Sequence, residues 1–256
     1  MTLFIKKILF RLLGISAYLK TLHIGFYFLY DLGVLKSNPT FKYHYFVKRL
    51  IHKGDYVVDL GANLGYFSKI FARCVGAEGK VISIEPVRPF YNTLVWALGK
   101  RKNCVIHNYA LGTDNKMIQM ELPKMNGNFR TGLAHVANGP SDKNENYVFE
   151  TEMVRGSILL KDVPKINYLK CDIEGYEEFV FPEIRGILEK HKPLIQIETG
   201  GTQKVVIDKL MLELGYVQYS VYQNKLVKIL PEGAESGDYL FIHSIAESGV
   251  LKSLTV

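Results

Sequence analysis

The run Val57-Val58-Asp59-Leu60-Gly61-Ala62-Asn63-Leu64-Gly65-Tyr66-Phe67-Ser68 is where this chain is best equipped for chemistry. An apolar stretch passes into a glycine loop and then into a helical pattern. That order brings together a strand end, backbone free of Cβ atoms and a helix N-terminus, which makes a nucleotide site. Which nucleotide follows from what the loop lacks. A dinucleotide fingerprint counted from Gly61 would need glycines where Asn63 and Tyr66 stand. A phosphate-binding loop would need Lys and then Ser or Thr after Gly65, where Tyr66 and Phe67 stand. The loop holds no basic residue, and an acid, Asp59, precedes it. An acid suits a ligand with an ammonium group and no phosphate, a description that S-adenosylmethionine meets. Asp59, Gly61, Ala62, Asn63, Gly65, Tyr66 and Phe67 are the candidate cofactor residues here.

Further carboxylates close the other apolar runs. Val81-Ile82-Ser83-Ile84 leads to Glu85, placed to accept hydrogen bonds from both ribose hydroxyls, and Pro86 turns the chain toward the adenine side. Asn108-Tyr109-Ala110-Leu111-Gly112 follows the third run. There Asn108, or the backbone about Ala110, either reads the adenine edge or simply forms a turn. The fourth run ends Leu169-Lys170-Cys171-Asp172-Ile173-Glu174-Gly175-Tyr176-Glu177. Alternation sets Asp172 and Glu174 on one side at the carboxyl edge of a sheet, where one could orient cofactor or substrate and the other accept a proton. The competing reading is a helix cap, which suits Glu177 and Glu178. Glu198 ends the fifth run at the same edge. His135, in a polar stretch, is a further candidate base, whereas His107 reads as a strand residue. Carboxylate oxygens suit magnesium, and Asp172, Glu174 and Glu198 are a conceivable ligand set, but without geometry to bring them together no metal site is expected.

These residues need a scaffold. Strands are expected at 56–60, 81–85, 104–108, 168–172, 194–198, 217–221 and 239–243, with helices at 66–74, 89–98, 176–181 (continuing to about 190) and 202–214. Strands apolar on both faces and alternating with helices imply an α/β fold, a parallel sheet covered on both sides. The rhythm changes over 116–158, where 117–122 and 147–154 alternate like hairpin strands around a polar stretch. That insertion reads as a lid or substrate-recognition hairpin.

The 256 residues, 48% hydrophobic and 22% charged, suffice for one folded domain and argue against disorder. Three cysteines without CxxC spacing point away from a disulfide framework and toward the cytoplasm. Residues 1–50 hold eight basic residues and a single acid, Asp31, so they carry the whole +7; the remainder balances at 24 of each sign. A nucleic-acid partner is therefore not expected. The chain divides into a basic, apolar helical segment at 1–50 and a main domain at 51–256. Arg11 and Lys20 interrupt the first segment, so no clean membrane span is expected. It either packs as helices over the domain or lies at a membrane surface through residues 1–35, with Lys6, Lys7 and Arg11 toward anionic headgroups.

The motif set, from Val57–Gly65 through Glu85-Pro86, Asn108–Gly112, Leu169–Glu177 and Pro193–Glu198 to Asp238-Tyr239-Leu240-Phe241, resembles the FkbM family of S-adenosylmethionine-dependent methyltransferases. Lys170-Cys171-Asp172-Ile173-Glu174-Gly175-Tyr176-Glu177 is the family-specific part. Cys171 replaces a usual aliphatic residue and Tyr176 a usual Ala, without altering the charge pattern. The resemblance implies a Rossmann-like class I methyltransferase: a seven-stranded, mostly parallel sheet with the last strand antiparallel. It also implies methylation of a hydroxyl on a glycan or small-molecule metabolite, with Asp172, Glu174, Glu198 and His135 as candidate catalytic groups. Alternatives are an N-methyltransferase and a non-catalytic, membrane-associated module that binds the cofactor.

Overall fold

The computed structural model describes residues 3–125, 128–129, 131–137, 139, 141–229 and 236–254. In chain order the strands are β1 (Tyr56–Leu60), β2 (Lys80–Ile84), β3 (Cys104–His107), β4 (Ala110–Gly112), β5 (Lys116–Met125), β6 (Asn128–Phe129), β7 (His135–Val136), β8 (Asn146–Arg155), β9 (Tyr168–Cys171), β10 (Leu194–Thr199), β11 (Tyr216–Tyr222), β12 (Lys225–Lys228) and β13 (Gly237–His243). The helices are α1 (Leu3–Asp31), α2 (Lys42–Phe46), α3 (Tyr66–Cys74), α4 (Arg88–Leu98), α5 (Gly156–Leu159), α6 (Glu177–Glu183), α7 (Arg185–His191), α8 (Gly201–Glu213) and α9 (Ser244–Ser253).

The main sheet runs β12-β11-β13-β10-β9-β1-β2-β3. Strands β3, β2, β1, β9 and β10 are parallel, and β13 enters antiparallel between β10 and β11. This is the expected seven-stranded arrangement with one addition, β12, which folds back antiparallel on β11. Both faces are buried because successive side chains alternate. Val58, Ile82 and Leu169 join one core with α6 to α8, while Val57, Val81 and Tyr168 join another with α3 and the N-terminal segment. The expected continuous helix from 176 breaks into α6 and α7 at Ile184, just after Pro182, whose ring and missing N–H disrupt the helical ladder.

The insertion forms a second sheet. Strands β5 and β8 pair antiparallel, with Met117 opposite Glu152 and Met120 opposite Phe149, and β4 adds parallel to β8. Met120 and Leu122 bury their side chains against Leu64, Val87 and Phe90, so this sheet leans on the glycine loop and the start of α4. Asn126, Gly127, Asn138 and Pro140 of the polar stretch lie outside the described residues.

Helix α1 is broken at Gly14, whose φ of +67° a side chain would resist. Beyond the break, Tyr18, Leu19, His23, Tyr27 and Tyr30 are buried against the domain. The side chains of Lys6, Lys7 and Arg11 lie outside the described residues. Leu12–Asp31 has the length and mean hydropathy, 1.3, of a membrane-crossing helix, although Lys20 interrupts its apolar run as expected.

Candidate active site

The glycine loop is shaped by close backbone packing. Gly61 has φ +71°, and a Cβ built there would stand 1.7 Å from the Asp172 carbonyl oxygen. The amides of Gly61 and Ala62 both donate to the Ile84 carbonyl at 3.0 Å. Glu85 completes the frame: one carboxylate oxygen accepts from the Asn63 amide at 2.7 Å and the other from Val87 at 2.8 Å. Burial pushes the Glu85 carboxyl up to about 7. From behind, α1 grips the loop. Tyr27 Oη donates to the carbonyls of Tyr66 at 2.6 Å and Gly65 at 3.3 Å, and His23 Nδ1 lies 2.8 Å from the Leu64 carbonyl. Burial lowers the His23 imidazole to about 4, so it bonds as a neutral donor.

Beneath the loop lies a buried charge network. Ser68 Oγ donates to Asp59 Oδ2 at 2.5 Å and receives a bond from Ser83. Lys170 Nζ sits 3.9 Å from Asp59 Oδ1 and 3.3 Å from Asp172 Oδ2. Burial pulls this ammonium down, but the two carboxylates outweigh it and hold it above the ordinary lysine range. Its charge also lies over the Phe67 ring, which stacks on His44.

After β9 the chain turns back through two left-handed residues, Glu174 (φ +51°) and Gly175 (φ +99°). Such a conformation at a glutamate costs energy and must be held from outside. Glu177 holds it, accepting from the amides of Ile173 at 2.9 Å and Gly175 at 3.0 Å, while Gln203 donates to the Gly175 carbonyl. The Glu174 carboxyl stands at the mouth of a cleft, pushed up to about 8 by burial against the cleft wall and then by Asp172 and Glu198. One wall of that cleft comes from the main sheet's edge, with Gly61, Asn63, Glu85 and Asp172; the other comes from the insertion, with Met120, Ala134 and Val136. Asn63 Nδ2 donates to the Thr131 carbonyl at 2.9 Å and ties the walls together.

Residues 59–217 match the Methyltransferase FkbM domain family. The chain belongs to the FkbM methyltransferase family. Among solved structures, the methyltransferase FkbM from Methylobacillus flagellatus KT aligns at a TM-score of 0.49 and 16% identity, over 73% of this chain and 43% of that one. The S-adenosylmethionine-dependent O-methyltransferase of Thermotoga maritima aligns at 0.40 and 16% identity, over 78% and 63%. Ribosomal RNA large subunit methyltransferase E of Myxococcus xanthus (strain DK1622) is 38% identical over 65 residues, 24% of this chain and 30% of that protein. The chain thus spans under half of the Methylobacillus FkbM chain and under a third of the Myxococcus protein.

The cleft's donor set fits S-adenosylmethionine, the cofactor of the FkbM methyltransferase family. Three carboxylates, Glu85, Asp172 and Glu174, line the cleft with no Lys or Arg among the described residues, which suits a cationic ligand that has no phosphate. Glu85 keeps lone pairs beyond those taken by the two amides. The structure brings together Gly61, Asn63, Glu85, Pro86, Ala110, Asp172 and Glu174 in one cleft. It sets others apart. Asp59 does not line the cleft; its Oδ2 accepts from Ser68, and its buried Oδ1 lies 3.9 Å from Lys170 Nζ without a hydrogen bond. The Ala62 side chain packs with Leu94 and Leu98, the Tyr66 ring packs on Phe26 of α1, and Gly65 lies under Leu94. Asn108 spends its amide on the carbonyls of Glu85 and Pro86 at 2.8 and 2.9 Å, which favours the turn reading. Glu198 faces Asp238 across the β10–β13 ladder, outside the cleft lining. His135 points away from its cleft-lining neighbours Ala134 and Val136 and lies 3.5 Å from Glu121. Among the described residues, no group of three or more His, Cys, Asp or Glu side chains is placed to hold a metal ion.

Sequence reasoning missed Lys170 as a buried counter-ion, Glu177 as the holder of the turn, and Tyr27 and His23 as a clamp on the loop. A lysine inside an apolar strand was the one visible signal, since it must be paired to be buried.

Proposed function

We propose that this methyltransferase acts on a hydroxyl oxygen of a glycan or small-molecule metabolite, with Glu174 taking the hydroxyl proton. S-adenosylmethionine supplies a methyl group already activated for displacement. The chain's own tasks are then to align the acceptor, shed water and remove a proton. The observation that carries the reading is the pair of carboxylates on the hydrogen-bonded Asp172–Gly175 turn. Glu174, raised to about 8, is a base matched to near-neutral pH, and Asp172 lies beside it with Lys170 as its counter-ion. In place of the Asn-Pro-Pro-Tyr-type tetrapeptide common in N-methyltransferases, this chain has Cys171-Asp172-Ile173-Glu174. The partial likeness to a ribosomal RNA methyltransferase makes RNA the rival acceptor. Against it stand the balanced charge beyond residue 50 and the acids at the cleft. Three free thiols support a cytoplasmic setting.

The test is incubation of the purified protein and methyl-labelled donor with glycan, metabolite and RNA fractions of the host. Mass spectrometry should find one added methylene on an oxygen of a glycan or metabolite. Label confined to RNA or to an amine nitrogen would overturn the proposal.

A further inference from the structure

The face of α1 turned away from the domain is apolar. Ile24, Phe28 and Leu32 follow at helical four-residue steps and are 56%, 65% and 63% exposed. Leu29 widens the stripe, and Trp96 of α4 lies across a shallow groove from it. A contiguous apolar stripe on one helix is unlike the scattered exposed hydrophobics of an ordinary surface. Charge says what covers it. Lys20 Nζ lies 5.5 Å from the centre of the Trp96 ring at the stripe's edge. Lys69 lines the same groove, its Nζ 3.9 Å from the centre of the Tyr27 ring. The net positive charge of the chain is confined to residues 1–50.

We propose that the outer face of α1, with Trp96, seats the protein on an anionic lipid bilayer, the helix lying in the plane of the headgroups. Tryptophan and lysine bordering an apolar stripe is the arrangement such an interface favours. The helix lies on the membrane and does not cross it. Its other face is committed to the domain through Tyr27 and His23 on the loop carbonyls, bonds that crossing would break. A second copy of the chain is disfavoured as the occupant, because a symmetric pairing would press two positive segments together. One α-helix, about 10 Å across, then separates the lipid surface from the cofactor loop.

Vesicle flotation of the full chain tests this. Binding is expected to phosphatidylcholine vesicles containing phosphatidylglycerol at low salt, and to fall by roughly tenfold at high salt or on phosphatidylcholine alone. The Ile24→Glu, Phe28→Glu double variant should lose binding by at least roughly tenfold while still titrating with S-adenosylhomocysteine. If that variant fails to fold, the Lys20→Glu, Lys69→Glu pair decides by losing the preference for anionic vesicles. The proposal is overturned by no flotation at low salt. It is equally overturned by flotation unchanged in both variants, or by a stable dimer in sedimentation that excludes vesicle binding.

Discussion

The loop after β1 and the turn after β9 pack against each other on one wall of the cleft, and both depend on left-handed backbone, yet they put it to different uses. In the loop that conformation falls on glycines and Asn63, and backbone groups are tied down on every side: by Ile84, by Glu85, and from behind by Tyr27 and His23. In the turn it falls on Gly175 and also on Glu174, a residue that resists it, and a carboxylate is presented to the cleft. Rigidity serves the half that meets an invariant cofactor; strain is accepted in the half where a side chain must meet an acceptor.

The contrast can be broken most severely at Gly61. In Gly61→Ala the new methyl group would overlap the Asp172 carbonyl, a backbone atom with no room to retreat, so calorimetric titration with S-adenosylhomocysteine should register no binding. The turn should respond differently. Glu174→Gln should leave that affinity within about twofold but lower kcat by on the order of a hundredfold. Because its carboxyl is raised to about 8, the base form accumulates as pH rises through that value. Wild-type kcat should therefore climb across that window, and the Gln variant should lose this limb; a climb that persists in the variant would point to another base. Tyr27→Phe probes the clamp behind the loop. Losing one hydrogen bond worth about 1 kcal/mol should weaken cofactor binding roughly fivefold and leave the pH profile alone. The smallest effect is expected at His135, where substitution by Gln should change kcat by less than about twofold, since its ring is turned to Glu121. A larger loss there would mean that the insertion rearranges when an acceptor binds.

Much of the frame was legible because it rests on local rules. The strand at 56–60 was readable end to end, since an apolar run bounded by Gly54-Asp55 and Gly61 leaves little choice. Glu85 was placed at its strand end for the same reason. The break at Ile184 was missed although Pro182 announces it, and β12 was missed because Lys225–Lys228 is short and half charged. Asp59 shows where local reading stops. An acid before a glycine loop can face a ligand's ammonium or pair with a lysine beneath the loop, and only the β1–β9 register, which sets Asp59 opposite Lys170, distinguishes them.

By itself the sequence determined the order of the seven main-sheet strands and the helices between them, the glycine loop, the carboxylates at strand ends and the segregation of positive charge into the first fifty residues. Periodicity, glycine's freedom and composition are properties of neighbouring residues, so no partner is needed to read them. The tertiary structure alone decided which acids share the cleft, that Lys170 is buried between two of them, that His135 turns aside, and that α1 grips the loop with one face and leaves the other bare. Each of these depends on the register and packing of segments far apart in the chain, and a one-residue shift would reverse which side chains meet.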